Sequence, residues 1–411
     1  MFKQRVKGHH REALEKPVIA SKDELESFLQ NECEDKEGVI YFHIPFCDNI
    51  CSFCNLHRTK LDDELDEYVK FLLKEIDYYA KFPYIKTKIF KSVYFGGGTP
   101  TILKQRHLEQ ILNAINKSFS LDKDVEFSFE TTLHNLTQNK IELMHALGVN
   151  RYSIGIQTFS TRGRKILNRI GDKKSAIDKL AMIKESFGGL VCTDIIYNYP
   201  KQSIQEVLED AKVLKSLKID SSSFYSLQFQ EGSIFSKQYD ENYYDLQTDY
   251  KLHNAFLTSL LKDEYELLEY TKINRKNRDR YLYIKLSHKG TDILPIGVGA
   301  GGRVGLYSIF TPRQNMQVVS KTSQIQLNFN IYSNLFQYDK ISITQIKSFL
   351  DKTTFEKIEE FFKACEKKGY VKIENGVIKF SADGVFWGNS IAWEAIELAK
   401  DYFIEKLKKA S

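Results

Sequence analysis

An open α/β fold, a partial (β/α)6 barrel followed by a smaller C-terminal α+β module of winged-helix-like type, is the class this sequence predicts, on three observations. Between Gly38 and about Gln230 one theme recurs six times: a short apolar run, a turn rich in Gly, Pro, Thr or Asn, then an amphipathic helix. Strands alternating with helices imply right-handed crossovers and a parallel sheet, and six such units close only part of an eight-unit barrel. After Asp339 the pattern changes to helix, helix, hairpin.

The six runs are Val39–Phe46, Ser92–Phe95, Val125–Glu130, Arg151–Gln157, Leu190–Tyr197 and Ser222–Gln228. Helical periodicity separates them over Leu61–Ala80 (Leu65, Val69, Leu72, Leu73, Ile76), Gln105–Phe119, Thr137–Leu147, Lys173–Phe187 and Ile204–Leu217. Gly148 stands where a helix C-cap belongs. Residues 240 to 335 are rich in Tyr, Asn and Lys and carry a glycine cluster, Ile296-Gly-Val-Gly-Ala-Gly-Gly-Arg303. The C-terminal helices Ser342–Leu350 and Thr353–Lys368 precede two alternating runs joined by Asn375-Gly376, a strong hairpin signal. The expected organisation is an N-terminal extension (1–37), the barrel (38–235), a barrel extension with the glycine-rich segment (236–335) and the C-terminal module (336–411).

Hydrophobic residues make up 42% of the 411, enough for an ordinary globular core. The first thirty residues hold His9, His10, Arg11 and Lys16 and lack the apolar segment of a secretory signal, and no stretch reaches the roughly twenty apolar residues of a membrane span. The expectation is a soluble, cytoplasmic protein. The net charge of +5, from 59 basic and 54 acidic residues, is spread along the chain, which argues against nucleic acid as a partner, for the C-terminal module as well.

In folds of this class ligands bind beyond the carboxyl ends of the strands, so Cys47, Gly96, Thr131, Thr158 and Asn198 are expected around one mouth. The first of these opens Cys47-x3-Cys51-x2-Cys54. Three thiolates at this spacing can hold three irons of a [4Fe–4S] cube and leave one iron open to an exchangeable ligand. A zinc knuckle would need a fourth ligand, which His57 could supply, but zinc sites usually pair two clips and only one is present. Cys33, Cys192 and Cys365 are isolated and read as buried or idle thiols.

The motif and its surroundings, Tyr41-x-His-Ile-Pro-Phe-Cys47, resemble the radical S-adenosylmethionine (radical SAM) superfamily, in the branch that contains oxygen-independent coproporphyrinogen dehydrogenase. The resemblance continues through Phe95-Gly-Gly-Gly-Thr-Pro100, Glu130, Arg151-Tyr-Ser-Ile-Gly-Ile-Gln157, Asn168-Arg169 and Asp194-Ile-Ile-Tyr197. It implies a [4Fe–4S] cluster on Cys47, Cys51 and Cys54, with S-adenosylmethionine chelating the open iron and cleaved to a 5′-deoxyadenosyl radical by an electron from a flavodoxin- or ferredoxin-type donor. By the same resemblance Tyr41 and Phe53 flank the cluster loop and the adenine. Gly97, Gly98 and Thr99 approach the methionine amine, Glu130 and Asp194 bind the ammonium and ribose hydroxyls, and Gln157 and Arg169 suit the ribose and carboxylate. Taken singly, Glu130 and Asp194 could be helix N-caps, Gln157 a barrel-interior hydrogen bonder, and Arg169 a surface residue beside Lys165 and Lys173.

Relatives in this branch act on or carry tetrapyrroles. The dehydrogenase carries a further cysteine two residues after its third ligand, where this chain has Leu56, and that departure argues against propionate decarboxylation. The Gly297–Gly302 segment and Phe386-Trp387 resemble the haem-utilisation branch, which implies an anaerobic haem-degrading enzyme of methyltransferase or oxidoreductase type that opens the ring and releases iron. A haem-binding chaperone that retains the cluster and a coproporphyrinogen-type dehydrogenase stay open as alternatives. A flat macrocycle with two propionates wants aromatic walls and cations, for which Arg58, Arg303, Arg313 and Phe224–Phe229 are candidates, with His9 and His10 as possible iron ligands.

Overall fold

The computed structural model describes residues 2–6, 8, 13–54, 64–262 and 264–410, together with the backbone of Thr59 and Lys60. Six strands run parallel in chain order: β1 (Glu37–Ile44), β2 (Ile89–Gly97), β3 (Leu121–Thr131), β4 (Arg151–Gln157), β5 (Leu190–Tyr197) and β6 (Ser221–Ser226). The helices between them include α1 (Leu65–Ala80), α2 (Gln105–Ser118), α3 (Gln138–Ala146), α4 (Lys173–Ser186) and α5 (Ile204–Ser216). Gly148 ends α3 with φ at 102°, its N–H donating to His145 O at 3.1 Å, which is the left-handed C-cap its position suggests.

The first run is shorter than its apolar length implies. Pro45 lacks the N–H a ladder needs, so β1 stops at Ile44, and Phe46–Cys47 pairs separately with Thr59–Lys60. Cys47 therefore stands beyond β1, in this separate short pairing that opens the cysteine loop. The segment with no clear architecture in the sequence supplies most of the remaining sheet. A hairpin of β7 (Tyr265–Glu269) and β8 (Lys272–Arg275) pairs antiparallel with β6. β9 (Asp292–Ile296) then inserts parallel to β1, on its other edge, as a seventh parallel strand. From it an antiparallel ladder continues through β10 (Gly301–Val304), β11 (Tyr307–Arg313), β12 (Met316–Lys321) and a final strand, Val18–Ala20. Together they form one thirteen-stranded sheet whose ends do not meet.

Register shows which side is core. Phe42, Phe95 and Phe129 stack on the helix side at 4.4 and 4.1 Å between ring centres, buried under the crossover helices. The opposite, concave side carries Tyr41, Tyr94, Glu130, Ser153, Asp194 and Ser223, linked by strand pairing and by the two-residue period. Ordinary barrels fill this space with branched apolar side chains. A polar lumen in a fold that has its apolar core elsewhere is built to receive something.

At the amino ends of the strands the lumen is closed by the chain around Asp279, whose carboxylate receives Arg151 Nε and Nη2 at 3.1 and 3.0 Å and Ser221 Oγ at 2.5 Å, all buried. The C-terminal part has its own core, built on the helix Gln324–Asn334, the helices Ile343–Phe349 and Lys352–Lys367, the hairpin Val371–Glu374 with Val377–Phe380, and the helix Gly388–Ala410. A strand the sequence reading did not include, Lys340–Ser342, joins that hairpin. Asn375 and Gly376 both have positive φ, 52° and 74°, as a type I′ turn requires. Among the described residues no helix is long and apolar enough to cross a membrane.

Candidate cluster and cofactor site

Cys47 is buried and Cys51 and Cys54 are half-buried in a loop pinned from three sides. Ser52 Oγ donates to Ile166 O at 2.7 Å and Asn49 Nδ2 to Asn168 O at 2.8 Å, while Asn168 Nδ2 returns to Ile50 O at 2.7 Å. His134 Nε2 lies 2.9 Å from Asp48 Oδ2. Phe53 fixes the underside, packing against the apolar group of Leu167, Ile196, Tyr199, Leu227 and Phe235. Exchanges of this kind hold the loop where the segments after β3 and β4 place it.

Among the described residues no three His, Cys, Asp or Glu side chains are gathered as tightly as one metal ion requires. The corner irons of a cube hold their thiolates further apart than a single zinc does. His57, the possible fourth zinc ligand, lies outside the described residues, as do His9, His10, Leu56 and Arg58. The remaining thiols differ in kind: Cys33, Cys192 and Cys365 are buried, and burial pushes Cys192 and Cys365 up to about 12, so neither is ionised at neutral pH.

The glycines behind the loop are places where a side chain would not fit. A Cβ on Gly98 would stand 2.4 Å from Phe46 O and 3.0 Å from Cys47 Sγ. Gly97 has φ at 113°, and a Cβ there would lie 2.8 Å from the His43 ring. Thr99 Oγ1 lies 3.6 Å from Cys47 Sγ. Arg169 is half-buried: Nη1 reaches Cys51 Sγ at 2.9 Å and Nη2 binds Gly155 O, so it is not the surface residue it could have been. Beside it is Gln157, buried with φ at 70°, its amide 2.8 Å from where a Cβ on Gly155 would project.

Lower in the lumen Glu130 accepts from Tyr94 Oη at 2.8 Å and from Gly97 N at 3.2 Å. Burial pushes its carboxyl up to about 7, opposed by the Tyr94 hydrogen bond and reinforced by Asp194. Asp194 accepts from Ser153 Oγ at 3.3 Å. Neither carboxylate caps a helix; both point from strands into the lumen. Tyr41 stacks with Tyr94 and Tyr283, its hydroxyl 3.0 Å from His43 Nδ1. Cys47, Gly98 and Thr99 thus form one group, Cys51, Arg169 and Gln157 a second, and Tyr41, Gly97 and Glu130 a third. Thr131 and Thr158 instead tie loops down, to Thr101 and Asp210.

Three residues had no role in the sequence reading. His43 is wedged between Gly97 and Gly299, whose added Cβ would lie 2.9 Å from its ring; Tyr94 orients Glu130; Ser153 orients Asp194. Strand alternation was the signal that could have found them, since each lies two residues from a selected position or directly across from one.

Arg303 does not serve the mouth. It pairs with Asp292 at 3.3 Å and with two backbone carbonyls, at the amino end of β9, which lies level with Gly38. The Phe224–Phe229 stretch is also mostly core: Phe224 packs on His253 and Phe256 and Phe229 on Phe235, leaving Tyr225 facing the lumen. Phe386 is buried beneath Arg5, whose guanidinium is 4.2 Å from its ring centre, and Trp387 stacks on Phe2.

A loop bearing three cysteines stands above a polar lumen in an open parallel barrel, at the strand ends where folds of this class bind their ligands. Residues 41–214 match the family described as the Radical SAM superfamily, and the chain carries a radical SAM domain, whose cofactors are a [4Fe–4S] cluster and S-adenosylmethionine. Over 388 residues, 91% of this chain and 87% of the relative, it is 25% identical to anaerobilin synthase of Escherichia coli O157:H7. It is 26% identical to heme chaperone HemW of Lactococcus lactis subsp. lactis (strain IL1403) across 71% of this chain and 80% of that one. The fold is that of coproporphyrinogen III oxidase (HemN) from Escherichia coli, with a TM-score of 0.74 at 20% identity, covering 90% of this chain and 92% of that one.

Proposed function

We propose that this chain is a radical SAM enzyme that opens a haem-type tetrapyrrole under anaerobic, reducing conditions and releases its iron. The observation that carries the reading is the similarity to anaerobilin synthase, which covers 91% of this chain and 87% of the relative. Leu56, where the coproporphyrinogen dehydrogenase pattern has a cysteine, supports it against decarboxylation. In this reading Cys47, Cys51 and Cys54 hold the cluster, and Tyr41, Phe53, Gly97, Gly98, Thr99, Glu130, Gln157, Arg169 and Asp194 bind S-adenosylmethionine. When bound, the two cofactors supply the one-electron chemistry and a transferable methyl group.

The protein's own residues position and shield. Gly97 and Gly98 let a ligand's polar end approach the backbone beside Cys47. Glu130, ionised, offers a carboxylate to an ammonium, with Tyr94 and the Gly97 N–H fixing its orientation. Arg169 holds Cys51 with one nitrogen and the β4 backbone with another, so cluster loop and lumen wall keep one spacing. The electron comes from a low-potential donor of flavodoxin or ferredoxin type.

Anaerobic incubation of the reconstituted protein with haem, S-adenosylmethionine and a low-potential reductant tests the reading through the haem absorption band and product masses. Loss of the band with a ring-opened product is the expected result. Tight binding with an unchanged spectrum would instead favour a haem chaperone, the reading that the HemW similarity supports. Carbon dioxide release from coproporphyrinogen would favour the dehydrogenase.

A further inference from the structure

The face that lines the lumen does not stop at β1. Residues paired across a ladder share a face, and the pairs run Tyr41 to Pro295, Ile293 to Arg303, Gly301 to Phe310 and Phe310 to Val318. Tyr41 points into the lumen, so Gly301, Phe310 and Val318 lie on the same concave side. A register shift after Phe310 brings Arg313 opposite Met316, which shares the face of Val318. β11 runs towards the mouth, because it is antiparallel to β10, which is antiparallel to β9. Phe310 therefore lies level with Tyr41 in the lumen wall, and Arg313 and Met316 rise above it towards the mouth.

On this extension three large apolar side chains are open: Phe310 is 46% exposed, Val318 41% and Met316 40%. Large apolar side chains gathered on one open face mark a binding surface. Next to them β10 begins with two glycines, so the sheet offers a flat strip of backbone; a Cβ on Gly301 would come 3.7 Å from the Phe310 ring. Arg313 is exposed at the end of this strip and has no ion pair among the described residues. Below, the same face descends into a cavity of about 470 Å³ lined by Gly301, Gly302 and Ser308 and roofed by the helix Gln324–Asn334. Contact with the cofactor site is continuous: Gly299 N donates to Thr311 O at 2.7 Å, Gly299 backs onto His43, and His43 onto Gly97.

We propose that this shelf seats the substrate, a flat, largely apolar macrocycle bearing carboxylates, with one ring face on Gly301, Phe310 and Val318 and a carboxylate on Arg313. The inference rests on the tetrapyrrole reading and adds where the ring lies. A glycine strip with an aromatic edge admits a planar ligand that side chains would hold off, and a guanidinium pairs with a carboxylate in two hydrogen bonds. Continuity with the lumen chooses the occupant: the strip joins the cofactor site through Gly299 and His43, so what lies on it must reach into the lumen, as a flat ring can and a folded protein surface cannot, and Arg313 then takes a peripheral carboxylate.

Binding of protoporphyrin IX and of its dimethyl ester to the full chain, followed by absorbance, tests this without turnover. Phe310→Ser combined with Val318→Asn is expected to weaken protoporphyrin by about tenfold or more. Arg313→Gln is expected to weaken the free acid by about fivefold to tenfold and leave the ester unchanged. All three positions are exposed, so the variants keep their fold, which circular dichroism checks. If wild type binds neither porphyrin, the tetrapyrrole reading fails and the shelf with it. If wild type binds and the variants bind equally well, the shelf alone is overturned, as it is if the substitutions alter only the oligomeric state in sedimentation.

Discussion

Glu130 is raised from its ordinary 4.5 to about 7 by burial in the lumen wall. A carboxyl raised in the folded state contributes stability that is complete below about pH 4.5 and is lost as the pH rises through about 7. An ammonium ligand reverses the preference, since it needs the ionised form. Binding of S-adenosylmethionine to the cluster-loaded protein should therefore tighten between pH 6 and pH 8, as calorimetry would show; Glu130→Gln should flatten that profile and weaken binding at pH 8 by about tenfold. Gly98→Ala forces a methyl against a backbone oxygen 2.4 Å away. That variant should fold, judged by circular dichroism, yet reconstitute with clearly less iron than wild type. That the cysteine loop and the glycine run meet at the carboxyl ends of β1 and β2 was legible in the sequence, because each directly follows an apolar run. His43, Tyr94 and Ser153 were not, because their roles depend on the strand across the ladder, and Arg303 misled because a free cation and a paired one look alike in sequence.

At the scale of elements, β4 and β5 fall where their apolar runs do, since runs buried on the helix side and bounded by turns leave little choice of ends. β1 lost its last residues to Pro45, a local effect visible once the ladder is considered. β9 and the hairpin after it were hidden, because a pairing between Asp292 and Gly38 leaves no periodic trace in either segment. The floor of the lumen has the same character: Arg151 and Asp279 meet across 128 positions. Removing one partner strands a buried charge, so Asp279→Ala should lower unfolding free energy by about 3–5 kcal/mol in a denaturant titration. Arg151→Met with Asp279→Leu should recover part of that loss.

Across the whole molecule the N-terminal residues act as a tie. Arg5 donates from Nε to Phe386 O at 2.9 Å and from Nη1 to Asp249 Oδ2 at 2.9 Å and Tyr197 Oη at 3.0 Å, and Val6 N donates to Ser390 Oγ at 3.0 Å. One side chain thus joins the end of β5, the helix Leu246–Leu261 and the C-terminal module. Arg5→Ala leaves the buried Asp249 without its counter-ion and should separate the unfolding of the C-terminal part from that of the barrel, seen in calorimetry as a broadened or split transition.

The placement of β9 also sets an order of events. A ribosome releases β1 and the cysteine loop more than two hundred residues before Asp292–Ile296 exists to cover that strand's other edge. Through that interval the nascent chain exposes one unpaired strand edge beside the cysteine loop, a template for association with another chain. A product truncated before Asp292 is expected to keep all three loop cysteines yet accumulate as aggregate, which sedimentation of the expressed fragment checks.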